Sequence, residues 1–277
     1  MFVSRRRRRA GSHLAALLAI FMSLATSSAV LADQTIKVGV TPGPHEEILD
    51  EVSRLGAKQG LSIQVIPISD YAVPNAALDA GDLDANSFQN PPFLAKQIAD
   101  RHFNIVAVGK TIFLPMGIYS KKIRTLGALT DGAVVAIPND PTNGARALLL
   151  LQSAKLIRLK DGGNRLSSPQ DIVDNPKHLT IRELNAAQTP RSLDDLDAAA
   201  INGNYAATAG LAPSRDALFS EGGGVGEALQ SVYSNIIAVR TVDQGKPWVA
   251  QLVAVYHSSA IRGFIIRHFG GTIYPAF

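Results

Sequence analysis

One arginine, Arg146, sits where the local sequence can build an anion site. It closes the run Val-Ala-Ile-Pro-Asn-Asp-Pro-Thr-Asn-Gly-Ala over residues 135–145. That run reads as a buried strand over 134–137, a turn over 138–141 and a helix opening near Thr142. Pro141 and Thr142 suit a helix entry, and Leu148, Leu149 and Leu151 can bury against a sheet. A strand-to-helix junction points free backbone N–H groups and the positive end of a helix at a small anion. Arg146 lies one turn in, where its planar fork can hold a carboxylate through two hydrogen bonds. The competing reading is an ordinary connection carrying a surface arginine.

Three further segments could wall a pocket. Asn86-Ser87-Phe88-Gln89-Asn90-Pro91-Pro92-Phe93 places two aromatics beside amides at a strand-to-helix loop; core packing of Phe88 and Phe93 is the alternative. Ala198-Ala199-Ala200-Ile201-Asn202-Gly203-Asn204-Tyr205 leads from a small-residue strand to two amides, which could equally cap a helix. Tyr233-Ser234-Asn235-Ile236-Ile237 sets an amide inside an apolar strand, where a backbone group or a ligand must satisfy it.

The chemistry these segments lack is also informative. There is no Gly-x-Ser-x-Gly elbow, His-Glu-x-x-His helix or Gly-x-x-x-x-Gly-Lys loop. His45, His102, His178, His257 and His268 are scattered without ligand spacing, so no metal is expected. Gly222 to Gly226 has no strand–glycine–helix context and reads as a loop. A hydrolase with a dispersed triad stays open at this level.

The elements that must position these residues alternate. Strands are expected over 36–40, 61–68, 84–88 and 104–109, with helices over 45–58, 75–80 and 91–100 between them. Ile48, Val52 and Leu55 mark one face of the first helix. A crossover strand is expected over 114–120, after which the pattern restarts with the strand and helix around Arg146. Short strands over 157–159, 178–184 and 198–201 follow, then a strong strand over 232–239 and helices over 247–256 and 259–268. This predicts an α/β protein with mostly parallel pairing, in two lobes with a cleft. The expected boundaries are 33–116 plus 236–277 for lobe one and 117–235 for lobe two.

The N-terminus suggests export. Arg5 to Arg9 precede an apolar run over 14–25 that is too short for an ordinary membrane span, and small residues end at Ala32. This reads as a cleavable signal peptide over 1–32. Those residues hold five of the 27 basic residues and no acid, so the rest carries 22 basic against 23 acidic residues, a net −1. The formal +4 is therefore no argument for nucleic acid. The chain has no Cys, which removes disulfides, thiolate metal sites, a Cys nucleophile and a lipid-modified cysteine.

The chain as a whole resembles the MetQ/NlpA family, the methionine-binding substrate-binding proteins of ABC importers. The likeness runs from Ile36 to Phe277. It is carried by Ser69-Asp70-Tyr71-Ala72-Val73-Pro74-Asn75, Gly81-Asp82-Leu83-Asp84-Ala85-Asn86, Ala107-Val108-Gly109, Tyr119-Ser120-Lys121-Lys122, Pro138-Asn139-Asp140-Pro141-Thr142-Asn143 and Pro190-Arg191-Ser192-Leu193-Asp194-Asp195, in family order. The resemblance implies a two-lobed periplasmic binding protein fold, no catalysis and no cofactor. It implies that Arg146 holds an amino acid's carboxylate, that Asn139, Asn202 and Asn235 bond its charged ends, and that Tyr71, Phe88 and Phe93 surround its side chain. Asn90 stands where the family usually has His, and Phe93 where it has Tyr, which leaves methionine, another small apolar amino acid or a peptide as the ligand. The implied partner is an inner-membrane ABC permease with its ATPase, served by a monomer. Without Cys, the expectation is a protein that diffuses in the periplasm and is not a lipoprotein.

Overall fold

The computed structural model describes Met1, residues 35–221 and residues 227–277. The expected signal peptide and the glycine-rich loop over 222–226 lie outside the described residues. Contacts group Asp33–Phe277 as one compact unit.

The chain opens with β1 (Ile36–Val40), whose valines are fully buried, and α1 (Pro44–Ala57). Pro44 pre-sets the first turn of α1, Glu46 and Glu47 complement its dipole, and Ile48 and Val52 face the core with Leu55 at its margin. Then come β2 (Ile63–Pro67), α2 (Val73–Ala80), β3 (Ala85–Gln89), α3 (Pro91–Arg101) and β4 (Ile105–Lys110). After the short β5 (Ile112–Phe113), the chain crosses to a second group. This comprises β6 (Gly117–Tyr119), β7 (Val134–Pro138), α4 (Pro141–Ser153), β8 (Arg158–Leu159), β9 (Ile172–Asp174), β10 (Thr180–Leu184), β11 (Ala198–Ile201), α5 (Gly203–Thr208), α6 (Pro213–Asp216) and β12 (Phe219–Ser220). Helix α7 (Glu227–Tyr233) leads back to β13 (Ile236–Arg240), α8 (Pro247–Tyr256), α9 (Ser259–His268) and β14 (Tyr274–Pro275).

Two five-stranded sheets result. The first runs β2-β1-β3-β13-β4, the second β10-β7-β11-β6-β12. Within the first, β1 pairs in parallel with β2 and β3, while the returning β13 is antiparallel to β3 and β4. In the second, β7 is parallel to β10 and β11, and β6 is antiparallel to β11 and β12. The expected parallel units are therefore present, each flanked by antiparallel strands where the chain enters or leaves. Each sheet has its own apolar core: α1, α8 and α9 cover the first, and α4 packs on the second.

Two expected elements differ. The strand expected over 114–120 is cut to β6 (Gly117–Tyr119), with β5 ending ahead of it at Phe113, because Pro115 has no N–H to give a ladder. The strand expected over 232–239 begins only at Ile236, because residues 232–233 end α7 and Ser234 bonds back to Gln230. Alternation of apolar residues alone cannot separate a helix end from a strand start here. Both breaks fall where the chain passes between the two sheets.

Candidate functional site

Arg146 is not a surface residue. It is 4% exposed, on the inward face of α4. Asp140 caps that helix by accepting from the Asn143 backbone N–H at 2.9 Å. Arg146 donates from Nε and Nη2 to the two carboxylate oxygens of Glu221, at 2.8 and 2.5 Å, and from Nη2 to the Leu114 carbonyl at 3.1 Å. The guanidinium carbon lies 4.4 Å from the centre of the Tyr233 ring. Burial by itself pushes the Arg146 pKa down, but the Glu221 charge and hydrogen bonds outweigh it and the net shift is upward. Among the described residues Nη1 has no hydrogen-bond partner. That leaves one edge of the fork for a further acceptor.

The aromatic wall is held from the first sheet. Every residue of β3 is buried despite three polar side chains. The two amides among them close on Asn75, while the Ser87 hydroxyl has no partner among the described residues: Asn75 donates to Gln89 at 2.8 Å, Gln89 to Asn75 at 2.6 Å, and Asn86 to Asn75 at 2.9 Å. The cluster satisfies its amides internally and fixes Phe88 between them. Asn90 then caps α3, its Oδ1 accepting from the Phe93 N–H at 3.0 Å, so its oxygen is committed to the helix. Tyr71, Phe88 and Phe93 form a triangle with centroids 5.7, 6.0 and 5.8 Å apart, and the Tyr205 ring lies against Tyr71 at 4.7 Å, tilted by 36°. Burial raises the Tyr71 phenol pKa well above its usual range, so it stays neutral.

The amides arrive from both sides. Asn202 occupies the position before α5 but does not cap it; its Nδ2 donates instead to Asn143 Oδ1 at 2.8 Å. Asn204 donates to the Pro42 carbonyl at 3.1 Å. The Oδ1 atoms of Asn202 and Asn204 are both buried and have no partner among the described residues. Gly203 lies between them, where an added Cβ would sit 2.6 Å from the Pro115 carbonyl; only glycine lets the crossing segment approach α5 this closely. Asn235, just ahead of β13, donates to the Phe88 carbonyl at 3.1 Å and makes a 2.8 Å bond with His45 Nε2. Its nitrogen is thus satisfied by the protein.

These groups share one cavity of about 20 Å³, lined by Tyr71, Phe88, Asn90, Phe93, Arg146, Asn202 and Asn235 together with Asn143, Asn204 and Leu114. Seven of the eight sequence-predicted site residues therefore meet at one place. Asn139 does not. It is exposed and lines a separate cavity of about 230 Å³ behind Tyr71 and Phe93, because it lies in the turn between β7 and the cap of α4, where its N–H bonds the Leu184 carbonyl, whereas Asn143 is inside α4 and buried. Sequence reasoning missed Asn143, Asn204, Glu221 and His45. Asn143 and Asn204 lay inside segments already singled out, but His45 and Glu221 carry no local signal. Segments from both sheets also meet directly around the site. Tyr205 donates to the Ser69 carbonyl at 2.8 Å and Asn185 to Asp70 at 2.9 Å.

His45 is 1% exposed and burial lowers its pKa from 6.5 to about 3. The unfolded chain takes up this proton near pH 6.5 and the folded chain does so only near pH 3. The unfolded state therefore binds more protons between those values. This contribution to stability is complete above pH 6.5 and is lost as the pH falls toward 3. Urea midpoints at pH 4.5 and 7.5 should differ less in His45→Phe than in the natural protein; an equal difference in the two would contradict a neutral, buried His45.

The family model for NlpA lipoprotein matches residues 36–277. The chain belongs to the NlpA lipoprotein family. The D-methionine-binding lipoprotein MetQ of Salmonella typhi is 44% identical to this NlpA-family chain over 239 residues, covering 85% of the chain and 86% of the relative. The solved structure of a nutrient-binding protein from Burkholderia cenocepacia bound to methionine superposes with a TM-score of 0.83 at 47% identity, covering 88% of this chain and all of that one. An ABC transporter periplasmic substrate-binding protein from Coxiella burnetii gives a TM-score of 0.81 at 46% identity, over 87% of this chain and all of that one. The fold is thus the two-lobed binding-protein fold expected from the sequence.

One expectation is overturned. The lack of Cys led to the reading of an unlipidated protein diffusing in the periplasm. The matching family is one of lipoproteins, and the Salmonella typhi relative is named as one. The absence of Cys describes which side chains this NlpA-family chain holds and not where the protein resides.

Proposed function

We propose that this protein binds methionine or a closely similar amino acid and serves as the substrate-binding component of an ABC importer, delivering its cargo to a membrane permease with its ATPase. The family consists of substrate-binding proteins rather than enzymes, which sets aside a hydrolase. One observation carries the ligand reading: a buried guanidinium, unpartnered amide oxygens and a triangle of aromatic rings face one cavity. A zwitterion needs that pairing, a cationic donor for its carboxylate and acceptors for its ammonium, because an unpaired buried charge is costly. A thioether is apolar and polarizable and packs well on ring edges. In this reading Arg146 takes the carboxylate, Asn202, Asn204 and Asn235 receive the ammonium, and Tyr71, Phe88 and Phe93 enclose the side chain. Asn90 shapes the loop through its cap.

The cavity of about 20 Å³ holds little more than one water-sized sphere, so an amino acid enters only when the walls part. The proposed lobes, 33–116 plus 236–277 and 117–235, move about residues 114–116 and 234–235. Native mass spectrometry of the purified protein, followed by denaturation and identification of the released molecule, tests the ligand. Release of methionine is expected; release of leucine or a peptide would replace it. Ligand should stabilise the fold by about 2.7 kcal/mol at a hundredfold excess over Kd. Small-angle scattering with and without methionine should differ, and tight binding with an unchanged curve would argue against the hinge.

A further inference from the structure

The polar network behind Asn202 has a direction, and its origin is a charged residue outside the cavity. Asp140 accepts from the Asn143 side-chain nitrogen at 3.1 and 2.9 Å with its two oxygens, and from the Thr142 hydroxyl at 2.9 Å. An ionised carboxylate can only accept, so Asn143 must turn its NH2 toward Asp140. Its oxygen then faces away and receives the Asn202 NH2 at 2.8 Å. That leaves Asn202 Oδ1 as the free end of the chain. This atom is buried, belongs to a residue 6% exposed, lines the cavity, and has no partner among the described residues. Reversing either amide would bring two NH2 groups or two oxygens face to face, so the orientation of the first fixes that of the last.

We infer that Asp140 is a positioning residue that makes the cavity select a ligand bearing an ammonium group, by locking Asn143 and Asn202 so that an acceptor faces the ligand. Asp140 touches no ligand in this scheme. It acts at two removes, and the inference rests on the amino-acid reading of the cavity given above. It deepens that reading by naming what enforces the charged amine as a requirement. The same carboxylate caps α4, so its two tasks have to be separated experimentally.

Asp140→Asn separates them, because asparagine caps a helix about as well as aspartate. It offers the network an NH2 as well as an oxygen. With the oxygen kept on the helix cap, the NH2 faces Asn143, both downstream amides can reverse, and an NH2 is presented where the ammonium would lie. Two probes report the result: L-methionine, and 4-(methylthio)butanoate, which keeps the carboxylate and thioether but has no amine. Calorimetry on the natural protein should show methionine binding the more tightly. In Asp140→Asn the methionine Kd should rise by roughly 10- to 100-fold, the range for a charge-assisted hydrogen bond. The butanoate Kd should change by less than about threefold, so the ratio between the probes collapses. Asp140→Ser, which keeps a cap acceptor without the charge, should reduce the ratio in the same direction. Thermal unfolding of both variants confirms that they remain folded.

Equal weakening of both probes would overturn the proposal and leave Asp140 a helix cap. An unchanged ratio in a folded Asp140→Asn would overturn it as well. If the natural protein binds the butanoate as tightly as methionine, amine selection fails while binding in the cleft survives. If it binds neither probe, the amino-acid reading itself fails and takes the relay with it.

Discussion

Arg146→Ala should lower methionine affinity by about 2–5 kcal/mol, the range for removing one partner of a buried, hydrogen-bonded charge pair. Calorimetry on folded variant measures it. Most of the loss is the penalty for burying a carboxylate that no longer meets a cation. The same substitution strands the Glu221 carboxylate, which Arg146 holds through two hydrogen bonds. The variant should therefore be less stable as well as weaker in binding. Arg146→Lys should not restore affinity, because a single ammonium cannot meet Glu221, the Leu114 carbonyl and a ligand carboxylate from one rigid plane. An affinity unchanged in folded Arg146→Ala would reduce this arginine to a structural partner of Glu221.

Glu221→Ala should have the largest effect on the fold itself. The pair is almost fully buried, with side chains 5% and 6% exposed. Breaking such a pair from one side costs about 3–5 kcal/mol, because the remaining charge keeps its desolvation penalty and loses its partner. Glu221 also accepts from the Met116 N–H at 2.8 Å, so the loss is felt in the segment joining the two sheets. Replacing both residues by apolar ones, as in Arg146→Met with Glu221→Leu, should recover much of the stability while leaving binding abolished. Urea unfolding of the two single variants and the double variant gives the coupling directly. A Glu221→Ala protein within about 0.5 kcal/mol of the natural one would place this pair among ordinary surface contacts.

The sequence by itself determined the framework of this protein. Its strand–helix alternation, with Pro and Gly at the junctions, is enough to lay out β1 to β4 and the strand and helix around Arg146, because each depends on local spacing and burial of nearby residues. The segment at 198–205 and the loop at 86–93 were also legible, since amides and aromatics beside a strand end are conspicuous in a linear reading. The boundary at Ser234 was not, since apolar alternation cannot separate a helix end from a strand start, and the break at Pro115 rests on a missing N–H that apolar alternation does not register. Tertiary structure alone decided which polar groups share a cavity. His45 reaches Asn235 across 190 residues and Glu221 reaches Arg146 across 75, and no periodicity connects them. It also decided that Asn143, carried inside α4 with its buried leucines, faces inward, while Asn139, in the turn ahead of the cap, stays exposed. Side-chain types fixed which chemistry was possible. Only the packing of the two sheets fixed which end of each amide, and which edge of one arginine, is left for a ligand.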